Sequence, residues 1–370
     1  MSEPLLFSPL TLRGLTLKNR IVVSPMCQYS AVDGHLTDWH YQHHSRFALG
    51  GVGLAFFEAT GVTPEGRITH GCTGLWDDSQ IPAYSKIIDM YHTHGCAVGI
   101  QIGHSGRRGS CARLWDGGAP ISAESDETAW QTIGPSAIPE HSGYPVPHEL
   151  TKSEIESLVD AFAKAAERAL KAGFDTVEVH GAHGYLLHSF FSPISNQRTD
   201  EFGGSLQNRM RFALMVSDAV RSVWPEDRPV FYRTSAVDNV SGGIVIEDTV
   251  ELAKELRSLG IDVMDCSSGG MKGPSTLAEK DKGSGFQVPY SDAVKNQAGI
   301  HTIAVGLIVD PVHAESILAD GKADLIALAR ELLSDPSWPY RAALKLGLDN
   351  PHAVLPRNFK FFLERRPPLN

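Results

Sequence analysis

The stretch TVEVHGAHGYLLHSFFSP, residues 176–193, places His180, His183 and Tyr185 directly after the apolar run Val177-Glu178-Val179, with a further ring at His188. A hydrophobic core has no use for two imidazoles and a phenol where a strand stops. Imidazole N–H groups can donate hydrogen bonds to an oxygen on which negative charge develops, provided they are aimed before the charge appears. A phenol, with a pKa near ~10, stays protonated at neutral pH and can deliver a proton to carbon. Taken alone, the pair also admits zinc: His180 and His183, with His104 and an acidic residue, could hold the metal for hydrolysis. Residues three apart on a strand point to opposite faces, however, unless the strand ends between them. An ordinary hydrogen-bonded structural role for each histidine is a third reading.

The chain that must position these groups has 370 residues, room for two average domains or one large α/β barrel. With 42% hydrophobic and 21% charged residues it can bury a substantial core. A net charge of -10 without a basic stripe speaks against nucleic acid, whose phosphates need a concentrated cationic surface. The start, MSEPLLFSPLTL, lacks a positive n-region and a long apolar h-region, and no stretch approaches the ~18 apolar residues of a membrane helix. A cytoplasmic protein with neither nucleic acid nor membrane as partner is expected. The five cysteines are scattered without a CxxC, which predicts free thiols rather than disulfides or a zinc knuckle.

Eight short apolar, β-branched runs are strand candidates: 19–26, 54–62, 97–104, 176–183, 230–236, 263–267, 302–307 and 325–329. Helical spacing fills the intervals. It is clearest in SEIESLVDAFAKAAERALKAGF, where Ser153 reads as N-cap, Glu156 completes a capping box and Gly173 ends the helix. SLQNRMRFALMVSDAVRSVW and EDTVELAKELRSLG follow the same pattern. The alternation predicts a single α/β domain over residues 1–370, a parallel (β/α)8 TIM barrel. A doubly wound open sheet is the alternative, but no GxGxxG follows the first strand. Residues 105–150, rich in Gly, Pro and Ser with isolated Trp115 and Trp130, form a connection after the third strand long enough to be a lid.

Barrel chemistry gathers at the C-terminal ends of strands. The runs there end in Ser24-Pro25-Met26-Cys27-Gln28-Tyr29, Glu58-Ala59-Thr60, Gln101 with His104, His180 with His183, Arg233, Ser267-Ser268-Gly269-Gly270, Gly306, and Ala329-Arg330-Glu331. Glycine and arginine on the last two strands suit a phosphate-bearing cofactor. Arg233, a charge in a strand centre, needs either a ligand or a buried ion-pair partner.

These residues carry a resemblance. SPMCQYS, EATGVTPEGRIT, IQIGHSGRR, VEVHGAHGYLLHSFFSPISNQRTDEFGGSLQNRMRF, DCSSGG and LIALARELLSDP, in order along nearly the whole chain, resemble the Old Yellow Enzyme family of FMN-dependent ene-reductases, in its thermophilic-like or xenobiotic-reductase branch. The resemblance implies a TIM barrel with non-covalent FMN, reduced by NAD(P)H; NADPH is the expected reductant of the two. Hydride would pass from N5 to the β-carbon of an activated alkene, either an α,β-unsaturated carbonyl or a nitro compound.

By the same resemblance Ser24, Pro25, Met26 and Cys27 line the flavin, Cys27 tuning it, with Ala59 and Gln101 against the pyrimidine end. Arg233 faces the N1/C2 carbonyl region, and Gly306, Ala329 and Arg330 hold the phosphate, although the family more often has glycine at the position of Ala329. His180 and His183 bind the substrate oxygen, Tyr185 protonates the α-carbon and Tyr29 is a second substrate contact; His188 falls outside the site. No metal is expected. A flavin-binding protein without turnover is disfavoured by the intact tyrosine and histidines.

Cys72, Cys96, Cys111 and Cys266 read as small buried hydrophobes, and Arg107 and Arg108 as solvated or lid-contacting. LAEKDKGSG, residues 277–285, reads as a solvated loop near the barrel mouth. The tail PRNFKFFLERRPPLN, residues 356–370, is basic and aromatic, so Phe359, Phe361 and Phe362 are expected to pack against something. In the resembling branch a C-terminal arginine or aromatic enters the neighbouring subunit's site. Arg365 is the match here, with Phe362 beside it, which implies a homodimer or a tetramer built from dimers; the further residues Pro367-Pro368-Leu369-Asn370 depart from that pattern.

Overall fold

Eight parallel strands, each hydrogen-bonded to the next in sequence and the last to the first, close a barrel in the computed structural model, which describes residues 4–272 and 282–366. They are β1 (Ile21–Val23), β2 (Leu54–Gly61), β3 (Ala97–Gly103), β4 (Thr176–Gly181), β5 (Val230–Ser235), β6 (Val263–Ser267), β7 (His301–Ala304) and β8 (Leu325–Leu328). All eight fall within the expected runs or one residue outside them, and the (β/α)8 fold is the one the alternation predicts. Around them lie α1 (Asp38–Gly50), α2 (Ile81–Thr93), α3 (Lys152–Ala172), α4 (Leu206–Val223), α5 (Ile246–Ser258), α6 (Val288–Ala298), α7 (Pro311–Ala319) and α8 (Trp338–Lys345).

Inside the barrel, Val22, Leu54, Phe56, Phe231, Val263, Ile303, Leu325 and Ala327 form one apolar cluster. Leu12 and Leu17, from an N-terminal hairpin that pairs Leu10–Leu12 with Leu15–Leu17, join it and plug the base. The larger cluster lies between strands and helices, where Val177, Val179 and Tyr232 meet Phe162, Ala166 and Phe212. Alternation along each strand then puts Gln101 beside Glu178, and Arg233 between His180 and Asp265, in the layer above the apolar fill.

Three differences from the expected boundaries bear on the site and its supports. β1 stops at Val23, because Ser24 onward turns across the barrel mouth. Helix α3 starts two residues early: Thr151 caps it, its backbone N–H donating to Glu154 Oε2 at 2.7 Å while Glu154 N–H returns to Thr151 Oγ1 at 3.3 Å. Both Thr151 and Ser153 satisfy the capping-box pattern, and the first one closes the box. β4 ends at Gly181, between the two histidines.

Residues 105–150 hold only single turns, at Gly106–Arg108 and Leu114–Asp116, and the paired two-residue strands Ile133–Gly134 and His148–Glu149. Side chains tie the segment down. Trp130 donates from its indole to the Glu65 carbonyl at 2.9 Å, and the Arg67 guanidinium lies 5.3 Å from Trp76 and 5.6 Å from Trp130. The five cysteines are free thiols. Among the described residues no helix is long and apolar enough to cross a membrane. Most of the expected loop at 277–285, and Pro367 to Asn370, lie outside the described residues.

Candidate active site

A cavity of about 650 Å³ opens at the C-terminal ends of the strands. β1 gives it Ser24, Pro25, Met26, Cys27 and Tyr29; the loop after β4 gives His183 and Tyr185; β5 and β6 give Arg233 and Ser267; the ends of β7 and β8 give Gly306, Ala329 and Arg330. Ala59 and His180 border a much smaller adjoining space that Tyr185 also lines. Gln101 is buried in the layer beneath, and Arg365 does not line the cavity. A larger cleft of about 940 Å³ lies at the opposite end of the barrel, among Lys18, Asn19, Thr93 and His94, and contains none of these groups.

The end of β4 between His180 and His183 is what lets the two rings meet. His183 and Gly184 both adopt left-handed backbone, with φ of 59° and 75°, and a side chain at 184 would run into the Gly270 carbonyl oxygen. The turn folds the rings together: His180 stands 5.3 Å from His183 and 5.1 Å from Tyr185, both nearly edge-on. His183 is held from three sides. Its N–H donates to Ser235 Oγ at 2.9 Å, its Nε2 is 2.7 Å from Ser267 Oγ, and its carbonyl accepts from Arg108 Nη1 at 2.7 Å.

Burial, then the nearby Arg233 charge, holds both His180 and His183 well below the ordinary histidine range, so the imidazoles are neutral at neutral pH. Burial likewise raises Tyr185 and Tyr29 above the usual phenol range and Cys27 above the usual thiol range. The wall therefore presents the neutral imidazole of His183, two phenols and a thiol among the guanidinium groups of Arg233, Arg108 and Arg330, with the neutral ring of His180 beside His183 and Tyr185.

Beneath this wall lies a polar layer. Arg233 Nη1 is 3.1 Å from Asp265 Oδ2, and Gln101 Nε2 donates to Glu178 Oε1 at 2.8 Å. Burial and the Asp265 carboxylate push Glu178 up to about 8, against the pull of Arg233 and Gln101. So Arg233 has an ion-pair partner and also faces the cavity. Glu58 Oε2 accepts the Gln28 N–H at 2.9 Å, anchoring the segment that carries Cys27.

Sequence reasoning missed several of these residues. Arg107 and Arg108 take the lid-contacting alternative, Arg107 donating to the Ile138 carbonyl at 3.4 Å and the half-buried Arg108 pairing with Glu140, but their reach into the site was not foreseen. Arg107 is buried and donates to the Met271 carbonyl at 3.3 Å, while Arg108 donates to the Gly270 carbonyl at 2.6 Å, lies 3.1 Å from Glu140 and sits 5.8 Å from the Tyr185 ring. Their place directly after a barrel strand was the available signal. Cys111 is buried as expected but also lines the cavity. Glu178 was legible only as part of a buried run, and Asp265 not at all. His188 lies outside the cavity. Among the described residues, no three His, Cys, Asp or Glu side chains gather as a metal site.

The NADH:flavin oxidoreductase / NADH oxidase family matches residues 5–349. An NADPH dehydrogenase of Geobacillus thermodenitrificans is 46% identical over 345 residues, 93% of this chain and 95% of that protein. One from Bacillus licheniformis is 45% identical over 348 residues, 94% and 96% of the two chains. Among solved structures, morphinone reductase superposes with a TM-score of 0.77 at 27% identity, over 93% of this chain and 90% of that one. The Old Yellow Enzyme homologue of Zymomonas mobilis gives 0.75 at 27% identity, over 92% and 93%.

Proposed function

The chain belongs to the NADH:flavin oxidoreductase / NADH oxidase family, is an NAD(P)H-dependent flavin oxidoreductase of the Old Yellow Enzyme type, and from that premise we propose that it is an ene-reductase acting on activated alkenes. The observation that carries this reading is that His180 stands within 5.3 Å of both His183 and Tyr185, and these two lie in the wall of a cavity that Arg233 and Arg330 also line.

The residues present fit FMN. A cavity of about 650 Å³ lies within the ~300–1,000 Å³ of small-molecule sites. Ser24 Oγ and Arg233 Nε are buried without a hydrogen-bond partner, as expected of groups whose partner is a ligand. Ser24 to Cys27 would line the ring system, with Ala59 and Gln101 against its pyrimidine end and Arg233 facing the N1/C2 carbonyl region, and Gly306, Ala329 and Arg330 would hold the phosphate. FMN held there would supply hydride transfer from NADPH, the preferred reductant, to the β-carbon of the alkene.

The chain's own residues supply the rest. His180 and His183, neutral and preset, hold the carbonyl or nitro oxygen as charge builds on it. Tyr185 keeps its proton at neutral pH and passes it to the α-carbon. Tyr29 borders the substrate, and the 105–150 segment covers the mouth, its Leu114, Glu140 and Tyr144 already in the cavity wall. The chain functions as one barrel domain in the cytoplasm and as a homo-oligomer in which Arg365 reaches the partner's cavity. In a single chain Phe359, Phe361 and Phe362 are all exposed, which leaves them free to meet a second copy.

Titration of the purified yellow protein with para-hydroxybenzaldehyde tests the site. A long-wavelength charge-transfer band is expected, lost in His180→Ala and in His183→Ala. A band that titrates unchanged in both variants would remove these histidines from the oxygen site.

A further inference from the structure

We propose that the buried His188–Asp238 pair, which touches neither cofactor nor substrate, is a positioning device that fixes the Gly184 amide and thereby aims His183 and Tyr185. The proposal rests on the function just assigned to those two residues. The Gly184 N–H donates to Nδ1 of His188 at 2.8 Å, so that nitrogen carries no proton and the ring hydrogen must sit on Nε2. Nε2 lies 2.9 Å from Asp238 Oδ1, with both side chains fully buried. The carboxylate is itself held, its Oδ2 accepting from Ser192 Oγ at 2.6 Å and from the Ile244 N–H at 2.9 Å.

The clamp grips where the backbone is least able to hold itself. His183 is a non-glycine residue in the left-handed region, and Gly184, which follows it there, joins it directly to Tyr185. Ser235 and Arg108 tie the His183 end of this turn. His188 ties Gly184 in the tautomer that carries its proton on Nε2, which the Asp238 carboxylate 2.9 Å away favours by its charge.

Asp238→Asn isolates this role, because an amide of the same shape puts its NH2 group against a donor in either orientation. At the Oδ2 position it meets the Ile244 N–H. At the Oδ1 position it meets Nε2–H of His188, and the ring can escape only by moving its proton to Nδ1, against the Gly184 N–H. The variant is expected to bind para-hydroxybenzaldehyde about tenfold more weakly, the scale of one aligned hydrogen bond lost, while FMN content stays as in the parent. His188→Leu should weaken binding similarly. His188→Asn, which keeps an acceptor near the Nδ1 position, should restore it, a rescue that a merely space-filling residue would not show.

His183→Ala runs alongside. If it abolishes the charge-transfer band while Asp238→Asn and His188→Leu both keep parental affinity, the positioning role is wrong and the oxygen site stands. If His183→Ala leaves the band intact, the oxygen site fails and the positioning role falls with it. Should Asp238→Asn not fold, His188→Leu against His188→Asn decides by the same titration, equal affinities overturning the proposal.

Discussion

Ser267 Oγ and His183 Nε2 lie 2.7 Å apart, linking β6 to the loop after β4 across the intervening strand β5. One imidazole nitrogen is thus engaged before any ligand arrives, and the ring's orientation is set by a neighbour's hydroxyl. Ser267→Ala should weaken phenol binding and raise KM for an enone roughly fivefold, the scale of one neutral hydrogen bond. FMN content should not change, and an unaltered phenol affinity would show that packing alone orients the ring.

Tyr185→Phe separates the two halves of the reaction. Only alkene reduction uses the phenolic proton, so stopped-flow reduction of the flavin by NADPH should be nearly unchanged. Reoxidation by an enone should slow by ~10²-fold, the usual worth of a general acid. Equal losses in both steps would deny the tyrosine that role.

Glu178 makes stability depend on pH. Its folded pKa of about 8 exceeds the ordinary value of 4.5, so between these values the folded chain keeps a proton that the unfolded chain has released. The stability it contributes is fully present below about 4.5 and is lost as pH rises through about 8. Glu178→Gln stays neutral throughout. Its Tm should match the parent's near pH ~5 and exceed it above pH ~8, and a constant offset across that range would contradict the assignment.

The C-terminal helix Arg357–Leu363 presents Phe361 and Phe362 to solvent, with the Arg365 guanidinium 3.8 Å above the Phe361 ring. Deleting residues 359–370 should weaken subunit association by light scattering and raise KM for an enone together, leaving FMN bound. Unchanged mass and KM would confine the tail to its own chain.

The strand runs and the residues at their ends made the barrel and most of the cavity legible in the sequence. Strands buried on both faces read as unbroken apolar runs, and a barrel brings their C-terminal ends together whatever the helices do. Thus Ser24, His180, Arg233 and Arg330 could be named without coordinates. What only the tertiary structure decided depends on approach across the barrel or on backbone dihedrals, which no local pattern encodes. The strand stop at Gly181 makes neighbours of His180 and His183, and Arg108 folds back to the His183 carbonyl across 75 positions. Asp265 meets Arg233, and Asp238 meets His188, because strand register and loop closure put them there. In sequence each of these residues is one more charge or ring, and its partner is set by the closed geometry of the sheet.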